Sequence, residues 1–409
     1  MGRNDIDRRQ FIGRTGLGLF GTSIGLPLLK TGFGSQESAP KLVYRTLGRT
    51  KLKIPVVSFG VMNTNSDALI LKAIEVGIKH LDTAHGYLNG NSELAIGRVL
   101  KDNGLRDKVI LATKMTFARD QEKQIFSTGE GGRGRLATQE NFDEQLKISL
   151  ERLQTDYLDI LYLHNLLGPE MATYEPMMKA LVKAKEDGRA RFIGVTTHQN
   201  VPEIVRTAVD VGIYDVIEVG YNYMDERKDE IREANKYAAG KGVGIVAMKV
   251  MGGNRLNRDE SVKINHKAAL KWVLSDENVT TAIPGMTAFE QLDLNMSVMA
   301  DLKLTEDEKR ELKITSMLKG TLYCQRCRSC IPTCPHGVEI PDLMRAYMYA
   351  EGYGNEYQAK ATVAQLPEHR GIEACRSCSG CTSVCRNGIP IGDRIGALMA
   401  GGMSGAVLV

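Results

Sequence analysis

Eight cysteines are the residues of this 409-residue chain whose spacing is most regular. They form two runs that share one pattern, Cys324-x2-Cys327-x2-Cys330-x3-Cys334 and Cys375-x2-Cys378-x2-Cys381-x3-Cys385. Cysteines three residues apart on a tight loop make poor disulfide partners, and structural zinc usually takes one pair and a distant second pair. Three thiolates on such a loop can cap one face of an iron–sulfur cube. The spacing therefore favours iron–sulfur clusters over disulfides or zinc.

The two runs resemble those of bacterial ferredoxins with two [4Fe–4S] clusters. In these ferredoxins the fourth cysteine of each run ligates the other cluster. The resemblance implies two crossed ligand sets, the first being Cys324, Cys327, Cys330 and Cys385, and the second Cys375, Cys378, Cys381 and Cys334. Arg386 departs from the pattern, because a proline usually follows the last cysteine. The helix-like, Tyr-rich residues 340–365 resemble the helical ferredoxin domains of respiratory subunits.

Four other polar residues lie at the ends of apolar runs. Asp82 and Tyr87 stand in Asp82-Thr83-Ala84-His85-Gly86-Tyr87, Lys114 closes the run that begins at Leu111, and His164 closes the run that begins at Leu161. A carboxylate, a phenol, an ammonium and an imidazole can hold or transfer protons. If the runs are neighbouring parallel strands, their carboxyl ends bring the four side chains together.

The elements that would position these residues alternate regularly from residue 56. Eight short apolar runs are candidate strands: 56–62, 80–84, 109–115, 159–164, 192–198, 215–222, 244–251 and 279–285. Amphipathic segments separate them, which predicts a parallel sheet covered by helices. Eight units over roughly 230 residues match a (β/α)8 TIM barrel. A doubly wound open sheet is the alternative, although Gly60-Val61-Met62-Asn63 lacks its usual Gly-rich fingerprint.

Two further segments belong to this barrel prediction. Residues 42–54 contain two short extended runs around Gly48-Arg49-Thr50, which suggests a hairpin that caps the barrel bottom. Residues 117–138 are rich in Gly, Arg and polar residues and follow the third strand, on the face where barrel enzymes place their sites. We interpret them as a substrate-facing loop, with an ordinary surface loop as the alternative.

Residues 43–300 resemble the aldo-keto reductases. Each member of that family's catalytic tetrad has a counterpart, namely Asp82, Tyr87, Lys114 and His164. Further similarity lies in Asn91-Ser92-Glu93-Leu94-Ala95-Ile96-Gly97, Gly194-Val195-Thr196-Thr197-His198 and Ile283-Pro284-Gly285. The resemblance implies that Tyr87 is the acid, that Lys114 and Asp82 tune it, and that His164 orients a carbonyl.

Hydride chemistry explains why these residue types are needed. Hydride addition to a carbonyl leaves an alkoxide, and a tyrosine with an ordinary pKa of ~10 can protonate it. A buried lysine ammonium is expected to lower that pKa and to stabilise the developing oxyanion. The resemblance thus implies a small-molecule carbonyl or alcohol substrate.

The same resemblance implies NAD(P) as cofactor. Asn295 aligns with the family's adenine-contacting Asn, and we also assign Gly285 and Asn222 to the cofactor site. The basic residues with which the family grips the 2′-phosphate of NADPH are missing around Gly285-Met286 and Gln291-Leu292-Asp293-Leu294-Asn295. Glu218 stands where the family often has a Gln. A preference for NADPH is therefore not implied.

The N-terminus has the features of an export signal. Arg8-Arg9-Gln10-Phe11-Ile12 precedes an uncharged stretch over residues 15–29 that is shorter than the ~20 residues of a membrane helix. The paired arginines resemble a twin-arginine signal, with Asp7 and Gly13 as departures. The resemblance implies export by the twin-arginine machinery to the periplasm or to the outer face of the cytoplasmic membrane. Cleavage of the signal and its retention as an anchor both stay open. A plain secretory signal or a disordered basic tail is the alternative.

Composition limits the function classes. With 43% hydrophobic and 25% charged residues and a net charge of +4, the chain has an ordinary soluble globular balance. It has no basic stripe interleaved with aromatics, so we expect no nucleic-acid partner. We predict a signal and linker over 1–40, a barrel over 41–318 and an iron–sulfur domain over 319–409.

Three functions remain from the sequence. The first is an oxidoreductase that uses NAD(P) and the tetrad. The second is an iron–sulfur electron-transfer protein whose barrel docks a redox partner or binds a substrate. The third is a non-catalytic binding barrel. The complete tetrad favours the first over the third, whereas the altered nucleotide grip and the export signal favour the second, because free nicotinamide nucleotides are scarce outside the cytoplasm.

Overall fold

The computed structural model describes residues 42–129, 134–252, 264–319 and 322–403. Eight parallel strands form one sheet, in which spatial neighbours follow one another along the chain. Bridges from Val57 to Ala282 and from Gly60 to Gly285 join the first strand to the last. The sheet therefore closes, which confirms the predicted TIM barrel and shows that the open-sheet alternative was wrong.

The strands and helices follow the predicted order with shifted ends. The barrel strands are β3 (Phe59–Gly60), β4 (His80–Asp82), β5 (Ile110–Met115), β8 (Leu158–Leu166), β9 (Ala190–Thr197), β10 (Val216–Gly220), β11 (Gly244–Met248) and β12 (Val279–Ala282). The helices around them are α1 (Asp67–Glu75), α2 (Asn91–Asp102), α3 (Gln139–Leu153), α4 (Pro169–Ala172), α5 (Glu175–Glu186), α6 (Val201–Val211), α7 (Lys228–Gly240), α8 (His266–Leu274) and α9 (Phe289–Ser297). The first strand is much shorter than expected.

Local capping and burial explain why the helices begin where they do. Ser66, Thr138 and Asn265 each accept a hydrogen bond from a backbone N–H in the first turn of α1, α3 and α8. Such caps satisfy donors that the helix itself leaves free. The apolar faces then pack against the outside of the sheet in one continuous core. The strands are buried on both faces, as a parallel sheet requires.

The predicted hairpin closes the barrel at its amino-terminal end. It consists of β1 (Tyr44–Thr46) and β2 (Lys53–Pro55), which pair antiparallel. Leu47 and Ile54 enter the cluster of side chains inside the barrel. Gly48, with φ +47°, lies so close to Gly244 at the start of β11 that a Cβ would be 2.4 Å from its nitrogen. Only glycine fits this approach.

The long segment after β5 contains a small antiparallel pair, β6 (Arg119–Asp120) and β7 (Ile125–Phe126). Phe126 packs against Phe117 in an edge-to-face arrangement with ring centroids 6.3 Å apart. This packing anchors the segment and holds Arg119 at the carboxyl-terminal mouth of the barrel. Residues 130–133 of the predicted loop lie outside the described residues.

The cysteine-rich region is mostly helical, as predicted. Its helices, together with the one that precedes it, are α10 (Glu306–Lys319), α11 (Ile340–Tyr347), α12 (Glu356–Ala364) and α13 (Ile391–Ala400). Residues 340–365 form two helices, because the chain turns at Gly354, with φ +64°, and Asn355 caps α12. Met62, Ala84 and Tyr87 of the barrel belong to the same apolar cluster as these C-terminal helices. Contacts group Pro40–Val409 into one compact unit, so the division at residue 318 stays a prediction.

The predicted export signal, residues 1–40, lies outside the described residues. No described helix combines the length and the apolar character needed to cross a membrane.

Candidate active site

The four tetrad counterparts meet at the carboxyl ends of neighbouring strands. Asp82 ends β4, Lys114 lies near the end of β5, His164 lies near the end of β8, and Tyr87 follows β4 in a short turn. Lys114 Nζ forms an ion pair with Asp82 and donates to Thr83 O at 2.9 Å. The Tyr87 ring lies 5.6 Å from Lys114 Nζ and 5.7 Å from the His164 ring. All four side chains are therefore within reach of one another.

Lys114 has a second acidic partner that the tetrad does not include. Glu218 Oε2 of β10 lies 3.2 Å from Lys114 Nζ, and both side chains are almost fully buried. Below them Tyr162 places its ring 5.7 Å from Lys114 Nζ. Gly194 makes room for that ring, since a Cβ there would lie 2.8 Å from it. The barrel interior thus fixes the lysine between two carboxylates.

One ammonium cannot balance two buried carboxylates, and this imbalance sets their protonation. Burial opposes a charged Lys114, but Asp82 and Glu218 raise its pKa above the ordinary value. Burial, together with the charge of Asp82, raises the pKa of Glu218 to about 8. At neutral pH the ion pair is therefore between Lys114 and Asp82, with Glu218 mostly protonated.

The Tyr87 phenol does not show the lowered pKa expected from a neighbouring lysine. Burial raises its pKa well above the ordinary value, and the charges of Asp82 and Glu218 act in the same direction. The physical reason is that the phenol is deeply buried, which disfavours the charged phenolate. Tyr87 is thus a neutral phenol, able to donate a proton but not to exist as a stable phenolate.

His164 is held neutral. Burial lowers its pKa well below the ordinary value, and the charges of Lys114 and Arg119 add to that shift. Its Nδ1 lies 3.0 Å from Thr116 Oγ1. If the hydroxyl donates to Nδ1, the hydrogen of the ring is on Nε2, which is free for a ligand.

Two cavities meet at this site. The first, here called the substrate cavity, has a volume of about 300 Å³ and is bordered by Tyr87, His164 and His198 of the barrel and by Arg345 and Tyr349 of the C-terminal region. The second, here called the cofactor cavity, has a volume of about 350 Å³. Tyr87 borders both cavities. It therefore lies where a substrate in one would face a ligand in the other.

The cofactor cavity contains two of the three residues assigned to it from the sequence. Gly285 and Asn295 line it, together with Gly60, Lys249 and Tyr353. Asn222 does not. It is buried beneath Gly252 and accepts a hydrogen bond from the backbone of Met224, because β10 ends two residues before it. The assignment of Asn222 to the cofactor site gains no support from this lining and stays a prediction.

The polar groups that line the cofactor cavity are of the kinds that bind a nicotinamide nucleotide. Amide and hydroxyl groups of Asn63, Gln291, Asn295 and Thr287 line it, and a Cβ at Gly285 would lie in ordinary contact with Asn63 Nδ2, at 3.5 Å. Among the described lining residues, only Lys249 and His266 can contribute positive charge. The site therefore offers hydrogen bonds for ribose and base but few cations for an additional phosphate.

The cysteines group as the crossed ferredoxin pattern implied. Cys334, Cys375, Cys378 and Cys381 border one cavity of about 150 Å³. Their mutual proximity shows in Cys375, whose pKa is raised to about 11 by burial and by the three other thiolates. Four thiols around such a cavity suit an iron–sulfur cube. Within the described ranges no three or more His, Cys, Asp or Glu side chains meet around a single-ion site.

The other four cysteines form the second group. Burial and the neighbouring Cys324, Cys385 and Cys327 raise the pKa of Cys330 to about 12. Arg326 and Arg328, between these cysteines, have φ of 57° and 61°. Residues other than glycine rarely adopt this backbone conformation. Here it turns the chain tightly around the thiols. None of the eight cysteines is in a disulfide.

The C-terminal region covers the mouth of the barrel. Asn355 Nδ2 donates to Asn63 Oδ1 at 2.8 Å, in the loop after β3. Arg345 Nη1 donates to Asn165 Oδ1 at 3.3 Å, at the end of β8. Arg386, which replaces the usual ferredoxin proline, pairs with Glu226 at 2.6 Å in the loop after β10. These contacts hold the C-terminal region, which contains the eight cysteines, over the active site.

Several residues of the site were not predicted. Arg119, Arg345 and Tyr349 line the substrate cavity, and Lys249 lines the cofactor cavity. No sequence motif marks them. Arg119, Arg345 and Tyr349 come from a long loop and from helices that pack on the barrel only in the folded chain, whereas Lys249 directly follows β11. The Arg content of residues 117–138 was the one available signal.

Comparison with known proteins agrees with this geometry. The model of the Aldo/keto reductase family matches residues 59–268, and that of a 4Fe-4S dicluster domain matches residues 323–389. The chain is 26% identical to L-galactose dehydrogenase of Arabidopsis thaliana, covering 68% of this chain and 95% of that protein. It is 23% identical to L-glyceraldehyde 3-phosphate reductase of Escherichia coli (strain K12), covering 68% and 93%.

A solved structure shares the fold. The holo form of an aldo-keto reductase from Bacillus halodurans aligns with a TM-score of 0.55 and 24% identity, covering 67% of this chain and 96% of that one. The alignment thus takes in nearly the whole of that enzyme and leaves about a third of this chain outside it. With the matched family model covering residues 59–268, the chain belongs to the aldo/keto reductase family and carries a 4Fe-4S dicluster domain.

Proposed function

We propose that this protein reduces the carbonyl group of a small molecule, or oxidises the corresponding alcohol, with NAD(P). The observation that carries the proposal is the position of Tyr87, which borders both the substrate cavity and the cofactor cavity. When bound, the nicotinamide supplies or accepts a hydride. Gly285, Asn295 and Lys249 border the cavity that would hold it.

In the proposed reduction Tyr87 is the proton donor. The alkoxide that hydride addition creates is a far stronger base than a phenolate, so a phenol with a raised pKa still protonates it. Lys114, 5.6 Å from the Tyr87 ring, places positive charge near the resulting phenolate, and Asp82 keeps that charge in place. His164 donates from Nε2 to the carbonyl oxygen and orients it.

Replacement of Tyr87 tests this proposal. Tyr87→Phe keeps the ring and removes the proton donor, so NAD(P)H-dependent reduction of an aldehyde panel should fall by about 100-fold or more. The iron content should not change. Tyr237→Phe, on the outer side of α7 where Tyr237 is partly buried and its hydroxyl donates to Asp210, is the matched control and should keep native turnover. Equal turnover by the Tyr87 variant would refute the role of the tetrad.

Two clusters, ligated in the crossed pattern, are part of the proposal. The eight thiols fall into two groups of four: Cys334, Cys375, Cys378 and Cys381 border one cavity, and Cys324, Cys327 and Cys385 lie close enough to Cys330 to raise its pKa. Bound clusters would supply one-electron transfer. The residues that would hold them are those named for the two crossed sets.

Electron transfer is the second candidate function, and one observation favours it. Cys324 borders a small cavity together with His198, Lys249 and Arg345. His198 and Arg345 also line the substrate cavity, and Lys249 lines the cofactor cavity. The group formed by Cys324, Cys327, Cys330 and Cys385 is thus one side chain away from the site. Under this function the clusters exchange single electrons without NAD(P)H: anaerobic dithionite should bleach the absorbance near 400 nm and a one-electron acceptor such as ferricyanide should restore it, equally in Tyr87→Phe. Clusters that dithionite cannot reduce would exclude this function.

Export through the twin-arginine machinery is also proposed, on the strength of Arg8-Arg9 and the uncharged stretch that follows them. In a bacterial host with that machinery, a double Arg8→Lys, Arg9→Lys variant should accumulate in the cytoplasm, whereas Arg3→Lys should be exported like the native chain. Equal export of both variants would contradict the proposal.

A further inference from the structure

The substrate cavity is lined by basic side chains, and none of its described lining residues is acidic. The basic residues are Arg119, Arg135, Arg345, His85, His164 and His198. Burial lowers the pKa of each of the three histidines. Arg135 is half-exposed and pairs with Glu144. The fixed positive charge inside the cavity therefore comes from Arg119 and Arg345.

Arg119 is buried without a carboxylate partner among the described residues. It is 6% exposed, and its Nη1 donates to the carbonyl oxygen of Asn165 at 2.9 Å. Its Nη2 donates to the side-chain oxygen of Gln365 in the C-terminal region. Both acceptors are neutral. Burial and the neighbouring charge of Arg345 lower its pKa to about 10, so it still carries its charge at neutral pH.

The positive charge of Arg345 is only partly balanced by a carboxylate. It is 9% exposed, and its Nη2 donates to Asp342 Oδ1 at 3.0 Å. Asp342 Oδ1 also accepts from Arg326 at 3.2 Å, so two guanidinium groups share one carboxylate. Arg345 Nε has no hydrogen-bond partner. A buried donor left unsatisfied is costly, so an anion that accepts a hydrogen bond from this Nε would be stabilised here.

The iron–sulfur region explains some of this positive charge but not Arg119. Arg326, Arg345 and Arg394 border the small cavity beside Cys324, where they can offset cluster charge. Arg119 does not border that cavity, and the thiols are not among the groups that shift its pKa. Arg119 instead faces the cavity that contains Tyr87 and His164. A buried charge without a partner is expensive to keep, so its retention at this place points to a ligand.

We propose that the substrate is an anionic carbonyl compound whose carboxylate or phosphate group binds between Arg119 and Arg345, an inference that rests on the proposed function. Arg119 comes from the loop after β5 and Arg345 from α11. The anion is therefore held jointly by the barrel and the iron–sulfur region. Its carbonyl carbon faces Tyr87 and His164 from the same cavity.

Binding of simple anions tests the site without turnover. Calorimetric titration of the anaerobically purified, cluster-loaded protein compares benzoate, phenyl phosphate and neutral benzamide. We expect one of the two anions to bind at least about tenfold more tightly than benzamide, because hydrogen bonds to charged groups contribute about 1.5–3 kcal/mol. The stronger of the two identifies the anionic group. Equal affinity for all three probes would overturn the inference.

Variants assign the binding to the arginines. Arg119→Gln should weaken the preferred anion about tenfold or more, while Arg119→Lys should retain part of the affinity because it keeps the charge. Arg98→Gln, on the exposed surface of α2 where Arg98 pairs with Asp67, is the matched control and should bind like the native protein. Undiminished anion binding by Arg119→Gln would also overturn the inference.

Kinetics separate this inference from the proposed function. 4-Carboxybenzaldehyde and methyl 4-formylbenzoate differ in one negative charge and one methyl group. The native protein should prefer the acid in kcat/KM by about tenfold, and Arg119→Gln should raise KM for the acid while leaving that for the ester within about threefold. Equal use of both aldehydes would refute the anion site and leave the proposed function standing. Arginine-dependent benzoate binding without reduction of either aldehyde would refute the proposed function and leave the anion site standing.

Discussion

The ring of Tyr87 stands edge-on to the ring of His164, with centroids 5.7 Å apart and planes at 79°. This arrangement leaves the Tyr87 hydroxyl and the His164 ring edge available to the same cavity rather than to each other. A carbonyl oxygen placed between them could accept a hydrogen bond from both. The relation depends on one turn and one strand, since Tyr87 lies in the turn after β4 and His164 lies within β8.

Removing Lys114 should reveal how much its buried ion pair with Asp82 contributes to the stability of the fold. Lys114→Met leaves Asp82 buried without its cation, which should lower the free energy of unfolding by about 3–5 kcal/mol and abolish reduction. Thermal unfolding under anaerobic conditions measures the first effect. The double variant Asp82→Asn, Lys114→Met should recover much of the stability without recovering activity. A single variant as stable as the native chain would show that the pair is not buried as described.

The raised pKa of Glu218 predicts a pH-dependent stability. Its folded pKa of about 8 exceeds the ordinary value of 4.5, so the folded state holds a proton that the unfolded state releases. The contribution of this group to stability is therefore greatest below pH 4.5 and is lost progressively as pH rises toward 8. Glu218→Gln removes the titration. Its Tm should approach the native value at pH 5 and exceed it by several degrees at pH 9, and a constant difference would contradict the shift.

The crossed ligand pattern can be tested by counting iron. The native chain, purified anaerobically, should hold about eight irons, and a triple Cys375→Ala, Cys378→Ala, Cys381→Ala variant about four. Adding Cys334→Ala to the triple variant should cost no more iron, whereas adding Cys385→Ala should remove the rest. The reverse result would show that each run of four cysteines binds its own cluster.

The lining of the cofactor cavity predicts that NADPH has no advantage over NADH. Lys249 and His266 are the only basic groups among its described lining residues, so the extra phosphate of NADPH gains little there. Titration of the purified protein with each nucleotide should give dissociation constants within about tenfold of each other. Binding of NADPH more than about tenfold tighter would mean that cations outside this lining hold the phosphate.

The barrel could be predicted from the sequence because its signals are local. Apolar runs such as 159–164 alternate with amphipathic helices, and each tetrad residue lies at a strand end, where parallel topology alone brings Asp82 and Lys114 together. The cysteine spacing likewise predicted a cluster-binding region. The ends of the strands could not be predicted from composition. Backbone hydrogen bonds to the neighbouring strands determine where β3 (Phe59–Gly60) begins and ends.

The contacts between the barrel and the C-terminal region could not be predicted. Arg119 and Arg345 are 226 residues apart in the printed sequence (345 minus 119) and meet only when α11 packs over the barrel mouth. Lys114 was expected to lower the pKa of Tyr87, whereas in the folded chain burial of the phenol raises it. Asn222 is not among the residues that line the cofactor cavity, because the strand before it ends at Gly220.

The most direct test of the account follows a hydrogen label through one turnover. The cluster-loaded protein is mixed with NADH that carries deuterium at both C4 positions and with 4-carboxybenzaldehyde, and the alcohol is analysed by mass spectrometry. Direct hydride transfer at the Tyr87 site predicts one deuterium on the carbinol carbon and a solvent proton on the oxygen. An alcohol without deuterium would mean that the electrons reached the carbonyl by another route, and it would contradict the assignment of this site to hydride reduction.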